Sequence, residues 1–308
     1  MKSKTAWSRP KVNSRNVLII GAGPAGVTTA IQLRRYDIGV VLVEKEEIGG
    51  LLRNANLVEN YPGFPDGISG MELVGLFKRQ LESAGVSVSF EEVLELEYED
   101  SEFHAKTNER VVMSDIVVIA SGTKPKPISD LKISKAVEER MFHVIHPIRG
   151  LSGKEIAIIG AGDAAFDYAL GMSQRNEVTI LNRSSRAKCI PVLWDRCMES
   201  RNVTYLDRTC VQEIRSDGNK AVLTCAHNDE QKKREIRADY VVIAIGREPC
   251  LDFLGSGLKR KVETLTDSSA IHIVGDVRNG IYRQVAICVG DGLRAAMEIH
   301  SSVAGEGE

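Results

Sequence analysis

Two glycine-rich loops in the sequence have the spacing that cradles the pyrophosphate of a dinucleotide. They read GAGPAG at residues 21–26 and GAGDAA at residues 160–165. In such a loop the first glycine permits a tight turn and the second lets the backbone approach a phosphate. The third, or an alanine in its place, allows a helix to pack closely on a strand. The N–H groups of the following helix then face the phosphates, so the sequence predicts two dinucleotide sites.

The residue 18 positions after each loop predicts which nucleotide is bound there. Glu44 follows the first loop at this distance, where a carboxylate accepts hydrogen bonds from the ribose hydroxyls of an adenosine. Arg183 takes the matching place after the second loop, with Asn182 before it and Arg186 just after. An arginine pairs with a 2′-phosphate that a carboxylate would repel, so the second site is predicted to prefer NADP(H) over NAD(H). In the alternative interpretation, both arginines are solvated surface charges.

An internal repeat indicates which elements position these loops. Residues 16–26 align without gaps with residues 155–165, and residues 115–122 align with residues 239–246. Each aligned stretch contains an unbroken apolar run, which is typical of a parallel strand buried on both faces. Helices are predicted to follow the loops from residues 27 and 166, and each helix leads to a second strand. This βαβ unit, written twice, predicts two nucleotide-binding domains of one architecture.

Composition excludes several classes of function. The 308 residues are 43% hydrophobic and carry a formal net charge of -2, so no basic field is available for nucleic acid or an anionic membrane. The apolar runs are too short to span a bilayer. Six scattered cysteines fit free thiols in a reducing cytoplasm. Residues 1–15 are basic without an apolar core, which predicts a disordered tail and no secretory signal.

Several segments give the chain a clear family resemblance. It resembles a low-molecular-weight thioredoxin reductase, within the FAD- and NAD(P)-dependent pyridine nucleotide-disulfide oxidoreductases, over nearly all of residues 16–304. The most specific segments are Gly49-Gly50, residues 58–65 and 67–70, residues 120–123, residues 274–276 and residues 282–284.

The resemblance implies that the first site binds FAD and the second binds NADPH, with NADH less favoured. Asn60 would lie near the isoalloxazine, Val93 near the adenine and Asp276 near the ribitol and phosphates, with residues 283–285 closing over the flavin. The implied FAD contacts are Gly21, Gly23, Pro24, Ala25, Gly26, Glu44, Lys45, Gly50, Leu51, Leu52, Asn60, Val93, Ala120, Ser121, Gly122, Gly275, Asp276, Arg283, Gln284 and Val285. The predicted NADPH contacts are Gly160, Gly162, Asp163, Ala164, Asn182, Arg183, Arg186 and Gly246.

The resemblance also implies the domain organisation. The expected fold is α/β, with two Rossmann-like dinucleotide-binding domains, the second inserted in the first. The FAD-binding domain would comprise residues 16–123 and 248–308, and the NAD(P)H-binding domain residues 124–247. The joins near residues 123–127 and 247–249 would act as hinges, and the protein would form a homodimer.

One departure from the family concerns its redox centre. The family carries a CxxC pair and an acid before the second glycine loop, and counting back from Gly160 places those positions on His143, His146 and Pro147. An imidazole can neither attack a disulfide nor resolve a mixed disulfide, which argues against conventional thioredoxin reduction. The histidines are candidate proton donors or a gate at the flavin, since imidazole titrates near neutral pH. In a second interpretation they are two ligands of a metal site, but no third ligand is evident, so no metal is predicted. In a third, they only fill the space that the redox centre would occupy.

The leading functional hypothesis is an FAD-dependent oxidoreductase in which hydride passes from NADPH to FAD and the acceptor is not a CxxC disulfide. One alternative is a ferredoxin- or flavodoxin-NADP reductase, since the DAAFDYA stretch at residues 163–169 resembles that branch. Another is a non-catalytic nucleotide sensor or accessory subunit. A small redox protein, such as a ferredoxin, flavodoxin or thioredoxin-like protein, is the expected partner. The basic residues available to dock an acidic carrier are Arg183, Arg186, Lys188, Arg196 and Arg201.

Overall fold

The computed structural model describes residues 16–129, 131–227 and 233–305, so the predicted tail at residues 1–15 lies outside the described residues. The described chain forms two compact units. The first contains residues 16–50, 74–123 and 249–305, and the second contains residues 51–73 and 124–248. This division differs from the predicted domains mainly at residues 51–73, which the sequence assigned to the FAD-binding domain.

The strands are short, as expected for alternating α/β units. In chain order they are β1 Val17–Ile20, β2 Val40–Glu44, β3 Val88–Phe90, β4 Val93–Glu99, β5 Glu102–Thr107, β6 Val111–Ser114, β7 Ile116–Ile119, β8 Thr123–Pro125, β9 Lys132–Ile133, β10 Met141–Phe142, β11 Glu155–Ile159, β12 Glu177–Leu181, β13 Val203–Leu206, β14 Thr209–Asp217, β15 Lys220–His227, β16 Lys233–Ala238, β17 Tyr240–Ile243, β18 Arg247–Pro249 and β19 Ile271–Ile273.

The helices are α1 Pro24–Arg35, α2 Gly70–Ser83, α3 Asp163–Ser173, α4 Pro191–Glu199, α5 Ser256–Lys259, α6 Val262–Asp267 and α7 Val285–Ala304. Short 3₁₀ turns cover Gly50–Asn54, Lys135–Arg140, His146–Ile148 and Gly275–Val277. In the described part of the chain, no helix is long and apolar enough to cross a membrane.

Each unit is built on a five-stranded parallel sheet, and four of the five strands occupy matching positions in the two sheets. The order in the first unit is β19-β7-β1-β2-β3, and the order in the second is β10-β17-β11-β12-β13. In each sheet the strand before the glycine loop pairs with the strand after the following helix and with the strand of the second sequence repeat. The predicted βαβ repeat is therefore present in both units.

Two aspartates at matching positions of the repeat make the same hydrogen bond. Asp115 Oδ2 accepts the N–H of Asn16 at 3.0 Å beside β1, and Asp239 Oδ2 accepts the N–H of Glu155 at 2.8 Å at the start of β11. Burial opposes ionisation of Asp239, but this amide and the Lys220 ammonium outweigh it and hold its pKa below the ordinary value. The second pair of aligned stretches, residues 115–122 and 239–246, thus begins with a carboxylate that connects two neighbouring strands.

Both helices after the glycine loops begin earlier than the sequence predicted. Helix α1 begins at Pro24 and α3 at Asp163, whereas the predicted starts were residues 27 and 166. Proline is favoured in the first helical turn because it has no N–H to leave unpaired, and an aspartate there interacts favourably with the helix dipole. The glycine loops therefore end directly at a helix N-terminus.

The remaining sheets pack against these frameworks. Antiparallel strands β4-β5-β6 belong to the first unit, where Leu96, Phe103 and Ala105 are fully buried with residues of the parallel sheet. Strands β16-β15-β14-β9 form the second sheet of the second unit, and their apolar residues pack on one face of its parallel sheet. Strands β8 and β18 pair with each other at the two predicted joins.

Candidate functional site

The glycine loop of the first unit has two closely packed positions and one open position. Gly21 has φ +104°, and a Cβ there would collide with the carbonyl oxygen of Ala120. A Cβ on Gly26 would collide with the carbonyl oxygen of Gly21. Gly23 meets nothing within 4 Å of its Cβ position, and it is the N-cap of α1. The tight glycines allow α1 to approach β1, and the open one leaves space at the helix N-terminus.

The glycine loop of the second unit repeats this geometry. Gly160 has φ +127°, and a Cβ there would collide with the carbonyl oxygen of Ala244. Gly162 is the extended N-cap of α3, with φ -96° and ψ -179°, and its Cβ position is open. Ala165 takes the third place and is fully buried, so the single methyl group is accommodated.

Both open positions fit a bound pyrophosphate. Neither N-cap glycine brings a side chain to the start of its helix, where the first N–H groups have no carbonyl four residues earlier to accept them. A phosphate placed there receives these N–H groups and the positive end of the helix dipole. In the second unit, Asp163 turns its Oδ1 toward the N–H of Ile190 at 2.8 Å, and Ala164 is exposed.

Glu44 lies at the carboxyl end of β2 and is bonded to the first glycine loop. Its Oε2 accepts the N–H of Ala22 at 2.8 Å, and its Oε1 accepts the N–H of Glu46 at 3.0 Å. A carboxylate offers about four lone-pair positions, so acceptors remain for ribose hydroxyls. Lys45, the next residue, is exposed. Gly50 has φ +52°, and a Cβ added to it would lie 3.5 Å from the Cα atom of Gly23.

Asn182, one residue before the position that matches Glu44 in the second unit, points inward. It is buried, and its Nδ2 donates to the carbonyl oxygen of Arg186 at 3.0 Å and to the Tyr205 hydroxyl at 2.8 Å. Its Oδ1 accepts the N–H of Ser184 at 3.0 Å. Its side chain therefore shapes the turn, whereas Arg183 and Arg186 on that turn are exposed. Gly246, after β17, has φ +120° and bonds the Lys126 amide.

The other predicted FAD residues of the first unit lie at the ends of β7, β19 and α7. Asp276 follows β19 and accepts a hydrogen bond from Cys288 Sγ at 3.2 Å. Gly275 has φ +78°, and a Cβ there would lie 2.9 Å from Ala25 Cβ, so α1 lies close to this turn. Gln284 is the N-cap of α7, after Arg283 and before Val285, the first residue of that helix.

Ser121 and Gly122 follow the buried Ala120 at the end of β7. Ser121 Oγ donates to the carbonyl oxygen of Cys250 at 2.7 Å, and Gly122 has φ +64° with open space at its Cβ position. Val93 begins β4 and pairs with Thr107. Three predicted FAD residues belong instead to the second unit, namely Leu51, Leu52 and Asn60.

The two histidines follow β10, the edge strand of the second unit's parallel sheet, and have different surroundings. The amide of His146 donates to Asn54 Oδ1 at 2.9 Å, which fixes the 3₁₀ turn that His146 begins. The Nδ1 atom of His143 is buried with no hydrogen-bond partner. Burial lowers the pKa of His143, and nearby Arg247 lowers it further, against a bond to the Ile243 backbone that raises it. Among the described residues, no cluster of ligands suits a metal ion.

A set of polar residues that sequence reasoning missed anchors residues 51–73 within the second unit. Arg149 donates to the carbonyl oxygens of Asn54 and Ala55 at 3.1 and 3.0 Å, and Asp167 Oδ2 accepts the N–H of Asn56 at 2.8 Å. No local sequence pattern predicts these contacts, because the partners lie about a hundred residues apart in the chain.

An ion pair also joins residues 51–73 to α4. Arg196 contacts both carboxylate oxygens of Glu59, at 2.6 and 2.9 Å. The pair is exposed, so its contribution to stability is small. One of the five basic residues proposed for carrier docking is therefore already bonded within the unit.

The cysteines lack the properties of a disulfide relay. None of the six forms a disulfide, and burial raises the pKa of Cys197 to about 12 and that of Cys225 to about 11. Burial also raises the pKa values of Cys189 and Cys288, and for Cys288 the adjacent Asp276 adds to the effect. A thiol must ionise to attack a disulfide, so these four are poor nucleophiles at neutral pH.

Comparison with known proteins identifies the family that uses this arrangement. The sequence profile of the pyridine nucleotide-disulphide oxidoreductases matches residues 15–292. The chain belongs to this family. A thioredoxin reductase of Borreliella burgdorferi is 27% identical over 297 residues, covering 92% of this chain and 90% of its own.

Two solved structures show the same architecture. The thioredoxin reductase of Lactococcus lactis superposes with a TM-score of 0.83 at 25% identity, over 94% of this chain and 99% of its own. That of T. acidophilum gives a TM-score of 0.80 at 27% identity, over 93% and 98%. The predicted α/β fold and family are therefore confirmed. The protein is a thioredoxin reductase-like, FAD-dependent NAD(P)H oxidoreductase of a family that uses FAD and NADPH.

Proposed function

We propose that the protein oxidises NADPH held by the second unit, that the first unit holds the FAD that would accept the hydride, and that the electrons leave to an acceptor other than a CxxC disulfide of this chain. The main observation in support is that the two matching glycine loops are followed by residues of opposite charge. Glu44 stands behind the first loop and Arg183 behind the second, so the two sites suit different nucleotides. Bound FAD supplies the redox chemistry, and the protein supplies position and electrostatics.

The residues of the chain bind and orient the two nucleotides in this proposal. Glu44, braced by the Ala22 amide, accepts ribose hydroxyls at the first site. Asp276, after β19, accepts hydroxyls of the ribitol. At the second site, Gly162 leaves room for the pyrophosphate and Arg183 pairs with the 2′-phosphate. His143, whose lowered pKa keeps it neutral at pH 7, has no charge to offer a phosphate and remains a candidate gate.

An anaerobic titration tests the hydride path. Adding NADPH to the purified flavoprotein is expected to bleach the flavin absorbance at near-stoichiometric amounts, because Arg183 and Arg186 favour the 2′-phosphate. NADH is expected to require at least tenfold higher concentrations, since a lost charge-assisted hydrogen bond costs about 1.5 kcal/mol or more. Absence of bleaching by either nucleotide would leave the non-catalytic sensor as the better hypothesis.

Replacing Glu44 with alanine tests the first site. The change removes the acceptor of two backbone N–H groups and of the ribose hydroxyls, so FAD affinity is expected to fall about tenfold or more. Equilibrium dialysis against free FAD measures it. Glu46→Ala is the matched control, because Glu46 is exposed and its bond to Glu44 uses the backbone. Equal FAD affinity in the two variants would show that Glu44 only shapes the loop.

The partners and location also belong to this proposal. A homodimer is also part of the proposal, because α7 exposes apolar side chains, of which Leu293 and Met297 lie four residues apart on one face. The electron acceptor is expected to be a small redox protein in the cytoplasm, which fits cysteines that form no disulfide.

A further inference from the structure

Two loops of the second unit lie side by side at the carboxyl edge of its parallel sheet. Strands β12 and β13 are parallel neighbours, so the loops that follow them leave the sheet at the same edge. These loops, residues 182–186 and 207–209, are called the arginine ledge here. The ledge carries Arg183, Arg186 and Arg208, and all three side chains are exposed.

Backbone hydrogen bonds join the two loops into one surface. The Thr209 amide donates to the carbonyl oxygen of Asn182 at 2.8 Å, and the Arg208 amide donates to that of Ser184 at 3.1 Å. The Asn182 amide in turn donates to the carbonyl oxygen of Leu206 at 2.9 Å. Arg208 is therefore held against the turn that carries the other two arginines, although it is more than twenty residues away in sequence.

The backbone of Arg208 is in a conformation that disfavours its own side chain. Its φ is +46°, in the left-handed region that glycine adopts at little cost and other residues adopt at about 1 kcal/mol. The guanidinium is 47% exposed, and its Nε lies 3.7 Å from Asp207 Oδ2. With Asp207 counted, the three arginines leave two net positive charges on the ledge, which matches a doubly ionised phosphate.

We propose that Arg208 is a specificity-determining residue that binds the 2′-phosphate of NADPH together with Arg183 and Arg186. The inference rests on the proposed function, because it assigns the ledge to that same nucleotide. Planar guanidinium groups bind phosphate with directed, charge-assisted hydrogen bonds. Arg208 lies outside the motif that follows the glycine loop, so only the pairing of β12 with β13 brings it there.

Binding of adenosine 2′,5′-bisphosphate, which carries the 2′-phosphate, and of adenosine 5′-phosphate, which lacks it, tests the inference by calorimetry on the whole flavoprotein. Arg208→Ala is expected to weaken the bisphosphate about tenfold and to leave the monophosphate unchanged. Arg208→Gly removes the same guanidinium and relieves the φ strain, so it is expected to fold at least as stably and to lose the same discrimination. Arg175→Ala is the matched control, an exposed arginine before the amino end of β12.

Three results would overturn the inference. The first is wild-type protein that binds both ligands equally, and the second is an Arg208→Gly variant that keeps the full preference. The third is an equal loss of both ligands, which would assign Arg208 a structural role. The binding measurement does not depend on flavin reduction. If NADPH failed to bleach the flavin, the proposed hydride path would fail. A preference for the bisphosphate that requires Arg208 would still support the inference.

Discussion

Replacing Gly162 with valine is expected to weaken NADPH binding at least a hundredfold while FAD stays bound and the second unit stays folded. The added side chain enters the open space at the N-terminus of α3, where the pyrophosphate would receive the first-turn N–H groups. Losing two such charge-assisted hydrogen bonds costs about 3 kcal/mol. The extended backbone of Gly162 accepts a β-branched residue, so the fold is not strained. Anaerobic flavin titration measures the shift in NADPH concentration.

Gly150→Val provides the matched control for this variant. Gly150 belongs to the same unit, is exposed and also has open space at its Cβ position, but it lies outside both glycine loops. Its variant is expected to bleach at wild-type NADPH concentrations. A Gly162→Val protein that bleaches as readily as wild type would place the nucleotide elsewhere, and a variant that loses FAD or unfolds would show that Gly162 serves the fold.

Asp167 is expected to make the second unit less stable as the pH rises from about 4 to 7. Burial raises the pKa of this carboxyl to about 6, against the Asn56 and Leu57 amides and Arg149, which lower it. The folded state therefore holds a proton that the unfolded chain releases near its ordinary pKa of 3.8. Stability from this group is fully present below the unfolded pKa and is lost as the pH rises through about 6. The difference corresponds to about 3 kcal/mol.

Asp167→Asn removes this titration and keeps an oxygen for the backbone amides. The free energy of unfolding of wild type relative to this variant is expected to fall by about 2 kcal/mol between pH 4 and pH 7, because the unfolded carboxyl is already partly ionised at pH 4. Urea titrations followed by Trp194 fluorescence report on unfolding of the second unit, since Trp194 packs against Phe166 in the core of that unit. Asp195→Asn, at an exposed carboxylate of α4, is the control. A pH-independent difference between wild type and Asp167→Asn would contradict the assignment.

The same titration bears on how residues 51–73 are held. Asp167 accepts the Asn56 amide, and Arg149 donates to carbonyl oxygens of Asn54 and Ala55, so the anchoring of this segment involves a group that titrates near pH 6. Because burial raises the pKa of Asp167, its ionisation favours any opening of the segment that returns the carboxyl to water. Hydrogen exchange at the Asn56 amide should therefore speed up as the pH rises through about 6, once corrected for the intrinsic rate.

The sequence was most informative where a function depends on residues close together in the chain. The glycine loops, the apolar strands before them and the residues 18 positions later all follow from local spacing, because a βαβ unit is built from consecutive elements. The two repeats predicted two sheets of one architecture, and the structure has two parallel sheets in which four of the five strands occupy matching positions. The roles assigned to individual site residues remain predictions.

Tertiary structure decided what depends on residues distant in sequence. Asn182 was a predicted nucleotide contact by its position, but its amide is bonded to Tyr205 on the neighbouring strand. Arg208 reaches the ledge only because β12 pairs with β13 and an unusual φ turns its backbone there. The pKa of Asp167 is raised because the folded chain buries it, against the amide of Asn56, 111 residues earlier, which lowers it. Spacing determines which residues share a loop, whereas burial and partners between loops depend on the path of the whole chain.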